Sequence, residues 1–192
     1  AILSQHHGVS AGMPPPAKVA RAIVAVEDQR FYSNSGVDVP SMLHFTWGYI
    51  TTGSTQVAGA TITEQLVKLL YVRQPTTLAG KVEMLGLALK LNQAYTKPQI
   101  LSMYLDAIYY GHQAWGIAQA SETYFHTTPD HLNWGQASML AGLPQAPSAY
   151  DPFKRFDLAR ERQKHVLARL VATGTLTPAQ AAAAYAETPS LP

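Results

Sequence analysis

Helix-start signals recur along the whole chain and leave little room for a β-sheet. Each has the form of a capping box, a Thr or Asn followed three residues later by Glu or Gln, which satisfies free N–H groups in the first turn of a helix. They occur at Thr61–Glu64, Thr96–Gln99, Asn133–Gln136 and Thr177–Gln180. No segment shows a convincing strand pattern. The sequence therefore predicts an all-α fold with, at most, a short hairpin.

Two further stretches predict long helices. Residues 78–95 combine good helix formers with apolar residues on several faces, which predicts a buried central helix. Asp157 is the expected N-cap of a helix that runs to about Thr173, where Gly174 would end it.

Composition limits the class of protein. The chain has 192 residues, of which 47% are hydrophobic and only 14% are charged, whereas soluble domains have about 25% charged residues. Its length suits one domain, or one domain with a small lobe. A net charge of +2 gives no indication of nucleic-acid binding. The sequence has no cysteine, which excludes disulfides, thiolate metal sites and cysteine nucleophiles.

Residues 39–63 contain no Asp, Glu, Lys or Arg and concentrate large apolar side chains. Trp47, Tyr49 and Ile50 precede a Gly/Ser/Thr-rich segment, and the whole region is too polar to span a bilayer. Trp and Tyr favour the membrane interface. We therefore expect contact with a membrane surface through about residues 39–60, with a buried core hairpin as the alternative.

The chain begins with Ala1 and shows no signal peptide. We expect a lead-in over residues 1–14 whose membrane anchor is missing, a main domain over 15–175, and a C-terminal helix and linker over 176–192.

Two adjacent carboxylates end the first apolar helical run. Val19, Ile23 and Val26 recur at helical spacing, which puts Glu27 at the border of the apolar stripe and Asp28 well away from it. A carboxylate beside apolar surface is desolvated and can exchange protons near neutral pH. The pattern favours Glu27 as a proton-exchanging group, although the pair could also simply solvate the helix end.

A glycine turn at Gly59 leads into a capped helix. Thr61, Gln65 and Lys68 fall at i, i+4 and i+7, so a hydroxyl, an amide and an ammonium share one stripe near a helix N-terminus. Such donors could cradle an anion, although exposed polar stripes are common. Glu64 is explained by its place in the capping box.

These segments, in this order, resemble family 51 glycosyltransferases, the peptidoglycan transglycosylase domains of class A penicillin-binding proteins and of monofunctional transglycosylases. The family's first motif is matched by Glu27, Asp28, Phe31 and Gly36, with Asn34 where the family has His. The resemblance covers about residues 15–170.

Three more motifs support the resemblance. Thr61, Gln65 and Lys68 match the second, while the third keeps Lys81 but has Met84 where the family has Glu. The fourth is clear in residues 97–106, from Lys-Pro-Gln to Tyr-Leu-Asp.

The resemblance implies a lysozyme-like helical lobe with a small membrane-facing jaw lobe at about residues 37–60. It implies polymerisation of lipid II into β-1,4 glycan chains with inversion and release of undecaprenyl pyrophosphate, at the outer face of the bacterial cytoplasmic membrane. Lipid II, the growing glycan, the membrane surface and cell-wall synthesis proteins are the implied partners.

The resemblance also assigns site residues. Glu27 is the expected base, with Asp28 and Glu83 as further catalytic carboxylates. The expected substrate-binding residues are Phe31, Asn34, His44, Thr61, Gln65, Lys68, Arg73 and Lys81. No bound cofactor is expected, although a divalent ion (Mg²⁺ or Mn²⁺) could bridge pyrophosphate and a carboxylate. The seven histidines show no paired helical ligand spacing.

Two alternatives remain open at this point. Positions where the family usually carries Arg or Lys are neutral or acidic here, which favours a non-catalytic relative that binds a lipid-linked precursor or a cell-wall partner. A hydrolase acting on the same glycan would need a protonated acid and usually a second carboxylate, and it would leave the Thr61/Gln65/Lys68 stripe without a role.

Overall fold

The computed structural model describes residues 14–38, 60–71, 78–187 and 191. His44, Arg73, the lead-in and nearly all of the predicted jaw lobe lie outside these residues. The α-helices are α1 (Ala17–Glu27), α2 (Ile62–Leu70), α3 (Leu78–Ala94), α4 (Lys97–Ala107), α5 (Gly116–Phe125), α6 (Trp134–Gly142), α7 (Phe156–Ala172) and α8 (Pro178–Ala186).

The described residues contain no strand, only an isolated antiparallel bridge between Tyr109 and Trp115. Short 3-10 helices cover Pro129–His131 and Leu143–Gln145. The prediction of an all-α fold is confirmed for this part of the chain.

The predicted helix starts are mostly confirmed. Complete capping boxes begin α4 at Thr96, α6 at Asn133 and α8 at Thr177. At α2 the Thr61 hydroxyl accepts the Glu64 backbone N–H at 3.1 Å, as expected.

The prediction for α7 is wrong by two residues. The helix begins at Phe156, its N-cap is Arg155, and Asp157 lies in the first turn. An acid in the first turn still interacts favourably with the positive end of the helix dipole, so the sequence signal indicated the right region without identifying the cap.

The helices pack in two groups. In the first, α1 lies against α6 and α7, and α8 covers α7 and α6; in the second, α2 lies between α3 and α4. α5 bridges the groups by contacting α4 and α6. The apolar stripe predicted for α1 is confirmed, since Val19 and Ile23 are fully buried.

The prediction that residues 78–95 form a buried central helix is wrong, although its bounds are nearly right. Met84, Ala88 and Leu91 are buried, but Val82 is 62% exposed and Leu89 is 38% exposed. Apolar residues distributed around a helix cannot all face one neighbour, and α2 covers only one side of α3. None of the described helices is both long and apolar enough to cross a bilayer.

Candidate active site

The Glu27 carboxylate lies at the C-terminal end of α1, on the wall of a cleft. Gln65 Nε2 donates a hydrogen bond to Glu27 Oε2 at 3.2 Å. Arg162 Nη2, from α7, lies 3.7 Å from Glu27 Oε1, and the Glu27 side chain keeps 15% of its surface exposed. One carboxylate oxygen is therefore held by a hydrogen bond and the other lies within ion-pair distance of a guanidinium, while the group still reaches solvent.

Gln65 is itself held in place. Its Oε1 accepts a hydrogen bond from the Tyr104 hydroxyl at 2.8 Å, and its Nε2 also donates to the Ala60 carbonyl at 3.1 Å. Burial, followed by the nearby charge of Glu27, raises the pKa of Tyr104 well above its usual value. Tyr104 therefore stays protonated as a donor, and its contact fixes which end of the Gln65 amide faces Glu27.

Asp28 lies where helical spacing did not predict. It is the residue after α1, so the rotation of about 100° per residue used to place it no longer applies. Its side chain turns inward, where it accepts the Ile62 backbone N–H at 3.2 Å. Burial raises the pKa of Asp28, while the hydrogen bonds from Ile62 and Asn34 and the charge of Lys97 oppose that rise.

Phe31 and Asn34 lie next to Asp28. Phe31 is fully buried, with the Lys97 ammonium 4.7 Å from its ring centroid. Asn34 Nδ2 lies 3.1 and 3.0 Å from the two Asp28 oxygens, and Asn34 Oδ1 accepts a hydrogen bond from Lys97 Nζ at 2.9 Å. The side chains of Phe31 and Asn34, both expected to bind substrate, therefore contact other groups of the protein.

The stripe of Thr61, Gln65 and Lys68 does not form the open cradle that its spacing predicted. The Thr61 hydroxyl is buried and donates to the Gly36 carbonyl at 2.7 Å, and the Gln65 amide is engaged as described above. Lys68 is half-buried and acts electrostatically on the neighbouring Glu64. Burial raises the pKa of Glu64 from 4.5 to about 7.

Lys81 and Glu83 lie on α3, where Lys81 is half-buried and Glu83 is exposed. The cleft beside Glu27 has a volume of about 330 Å³, and neither residue lines it. Among the described residues that line it, the cationic side chains are Arg30 and Arg169. The residues that line it are Val26, Glu27, Asp28, Gln29, Arg30, Asp38, Ala60, Thr61 and Arg169.

Sequence reasoning missed the side chains that α4 and α7 bring to the site. Tyr104 and Lys97 lie within the fourth motif. Each puts a polar group on a largely apolar helix, which could have indicated a role in the site, but the sequence analysis assigned them none. Arg162 lies between Ala159 and Val166, both on the buried face of α7. A charged residue on an otherwise apolar stripe indicates a buried partner, which here is Glu27.

Among the residues that the structure describes, the donor set does not fit a resident metal ion. The described residues contain no group of three or more His, Asp or Glu side chains placed to hold one. Asp28 is engaged by Asn34 and Ile62, and Asp38 pairs with Arg30. The predicted divalent ion stays a prediction, and no chemical step is derived through it.

Comparison with known proteins identifies the family. A family model described as Transglycosylase matches residues 5–171. Penicillin-binding protein 1A of Neisseria gonorrhoeae is 38% identical over 162 residues, which cover 84% of this chain and 20% of that protein. The protein of the same name from Escherichia coli (strain K12) is 34% identical over 165 residues, covering 86% and 19%.

The chain therefore spans about a fifth of the length of these curated relatives. A crystal structure of penicillin-binding protein 1A from Haemophilus influenzae superposes with a TM-score of 0.47 at 22% identity, covering 68% of this chain and 16% of that one. On the family match and the identities to the curated relatives, the chain belongs to the transglycosylase family of peptidoglycan glycosyltransferases.

Proposed function

We propose that this protein polymerises lipid II into β-1,4 glycan chains, with inversion at the anomeric carbon and release of undecaprenyl pyrophosphate. The observation that carries the proposal is the Glu27 carboxylate on the cleft wall, with its oxygens oriented by Gln65 and Arg162. A general base must be fixed in orientation and still accessible to the hydroxyl whose proton it takes. Glu27 meets both conditions.

In the proposed step, the 4-hydroxyl oxygen of the acceptor sugar attacks the anomeric carbon of the donor. The bond from that carbon to the pyrophosphate oxygen breaks, and its electron pair leaves with the pyrophosphate. The hydroxyl proton passes to Glu27. General-base catalysis contributes about 10²–10⁴-fold, and Gln65 and Arg162 keep the carboxylate in position throughout the step.

The leaving pyrophosphate needs positive charge beside it. Arg169 is half-buried and lines the cleft that contains Glu27, while Arg30 lines the same cleft and pairs with Asp38. Lys68 and Lys81 stay proposed phosphate contacts on the basis of the motifs alone, and Arg73 stays proposed as a partial replacement for the cations that the family usually has. The proposal therefore has two separate sources of positive charge for the pyrophosphate: the arginines that line the cleft and the lysines of the motifs.

Membrane contact is part of the proposal. Large apolar side chains are exposed on α2, just after it and on α3. They are Leu69, Tyr71, Val82 and Leu89. Exposed apolar groups of this kind favour an interfacial location. We place the protein at the outer face of the cytoplasmic membrane, where its lipid-linked substrate would lie.

The test is a lipid II polymerisation assay with wild-type protein and Glu27→Gln. The variant keeps the size and polarity of the side chain but removes the base, so we expect polymerisation to fall by about 10²-fold or more in protein that is still folded, with a lower melting temperature because Arg162 loses its charged partner. Glu122→Gln, an exposed Glu→Gln change on α5, is the matched control and should stay fully active.

Other outcomes point elsewhere. Full activity of Glu27→Gln would contradict the base assignment. Lipid II binding without product chains from wild-type protein would favour the non-catalytic relative. Release of sugars from finished peptidoglycan would favour a hydrolase.

A further inference from the structure

One amide group connects a buried carboxylate to a partly buried ammonium beside the proposed active site. Asn34 Nδ2 donates to Asp28, at 3.1 and 3.0 Å from its two oxygens. Asn34 Oδ1 accepts from Lys97 Nζ at 2.9 Å and from the Gly36 backbone N–H at 3.0 Å. Both ends of the amide are therefore used inside the protein.

Two routes lead from this amide to the N-terminus of α2. Through Asp28, the first route reaches the backbone N–H of Ile62, the first residue of the helix. Through Gly36, the second reaches the Thr61 hydroxyl, which donates to the Gly36 carbonyl and caps α2. Gln65 lies one helical turn after Thr61 and donates to Glu27.

Lys97 connects the same amide to α4. It is the first residue of that helix, and its ammonium also lies over the Phe31 ring. Burial lowers the pKa of Lys97, and the charge of Asp28 opposes this. The ammonium and the carboxylate therefore stabilise each other with the Asn34 amide between them.

We propose that Asn34 is a positioning residue, which joins Lys97 to Asp28 and so holds the N-terminus of α2, and with it Gln65, against Glu27. The inference rests on the proposed function for its kinetic consequences. Asn suits this place because it offers a donor to the carboxylate and an acceptor to the ammonium at the same time. It also stays neutral at every pH, although it lies between two ionisable groups.

Three substitutions separate the two ends of the amide. Asn34→Asp keeps the acceptor for Lys97 but puts a second carboxylate against Asp28, which itself lies within electrostatic range of Asp38. Asn34→His offers one donor and one acceptor while neutral, but becomes a cation facing Lys97 when protonated. Asn34→Leu removes both ends.

We measure kcat and KM for lipid II polymerisation from pH 5.5 to 8.5. Asn34→Leu should lose about 10²-fold in kcat at every pH, because a displacement of about 1 Å at a catalytic group has that effect. Asn34→His should be most active at high pH and lose activity as the pH falls through about 6.5. Asn34→Asp should show the opposite trend, gaining activity toward low pH as one of the paired carboxyls takes up a proton.

These opposite pH trends are the signature of a positioning role when they appear in the kcat of protein that circular dichroism shows to be folded at every pH. Asn133→Asp, at the N-cap of α6, is the matched control, because Asp also caps helices well. It should keep the wild-type pH profile. The proposal is overturned if Asn34→Asp and Asn34→His both follow the wild-type profile, or if both lose the same fraction of kcat at all pH values.

A second measurement does not depend on activity. NMR titration of the Asp28 carboxyl carbon in wild type and in Asn34→Leu should show a midpoint at higher pH in the variant, because a hydrogen bond to the charged form is lost. An unchanged midpoint would overturn the proposed link even in an active enzyme. If wild-type protein makes no polymer while the midpoint shifts, the proposed function fails and the link stands.

Discussion

α1 and α3 are both rich in apolar residues, yet they have opposite environments. In α1, Val19 and Ile23 are fully buried against α6 and α7. In α3, Val82 is 62% exposed and Leu89 is 38% exposed. The difference follows from where the apolar residues lie around each helix. They form one stripe on α1, whereas they are spread around α3.

This difference matters for function. α1 belongs to the well-packed group of helices and ends at Glu27, so the proposed base is attached to a rigid element, as a well-oriented catalytic group requires. α3 leaves an apolar surface uncovered, which suits contact with a lipid surface.

Truncating an apolar side chain should change the free energy of unfolding far more in α1 than in α3, and this is the largest expected effect. Ile23→Ala in α1 should lower the free energy of unfolding by about 2–5 kcal/mol, because it opens a cavity in a fully buried site. Val82→Ala in α3 should change it by less than about 0.5 kcal/mol. Chemical denaturation of both variants measures the difference, and equal losses would contradict the contrast.

The next prediction concerns Glu64 in α2, whose pKa burial raises from 4.5 to about 7. The folded state then binds the proton more tightly than the unfolded state. The contribution of Glu64 to the free energy of unfolding is therefore fully present below about pH 4.5 and is lost as the pH rises through about 7. Glu64→Gln removes this loss. Above pH 7 it should therefore stabilise the protein by about 1–3 kcal/mol.

Denaturation curves at pH 5 and pH 8 provide the measurement. The gain from Glu64→Gln should be larger at pH 8 than at pH 5. Glu83→Gln, a change at an exposed site on α3, is the control and should not stabilise the protein at pH 8. A gain for Glu64→Gln that is the same at both pH values would contradict the proposed cause.

The smallest expected effect concerns membrane binding. Val82→Asn should weaken binding to phospholipid vesicles by about tenfold, since removing one apolar side chain from the interface loses about 1.5 kcal/mol. Phe153→Asn, which changes another partly exposed apolar residue outside α2 and α3, is the control and should bind as wild type does. Equal weakening by both variants would argue against a specific membrane-facing surface on α3.

The sequence predicted helix starts well because the interactions at caps are local. At Thr96, Asn133 and Thr177, the side chain and its partner lie three residues apart, so the pattern carries the whole interaction. It predicted the α1 stripe for the same reason. It failed for Asp28, because that residue follows the helix and takes its orientation from Ile62, 34 positions away along the chain.

The site residues divide in the same way. Motif order identified Glu27, Gln65 and Asn34, but nothing local indicated that Arg162 from α7 would lie beside Glu27. Arg169, which lines the cleft beside Glu27, likewise comes from α7.

By itself, then, the sequence determined the helical class, most helix boundaries, the family and the identity of the proposed base. Only the tertiary structure decided which surface of α3 is covered, which way Asp28 faces and which cations lie near Glu27. Local hydrogen bonds and helical periodicity depend on residues that are close together in the sequence, so the sequence alone predicts them. The charge and burial around a side chain depend on helices that are distant in sequence and meet only when the chain folds.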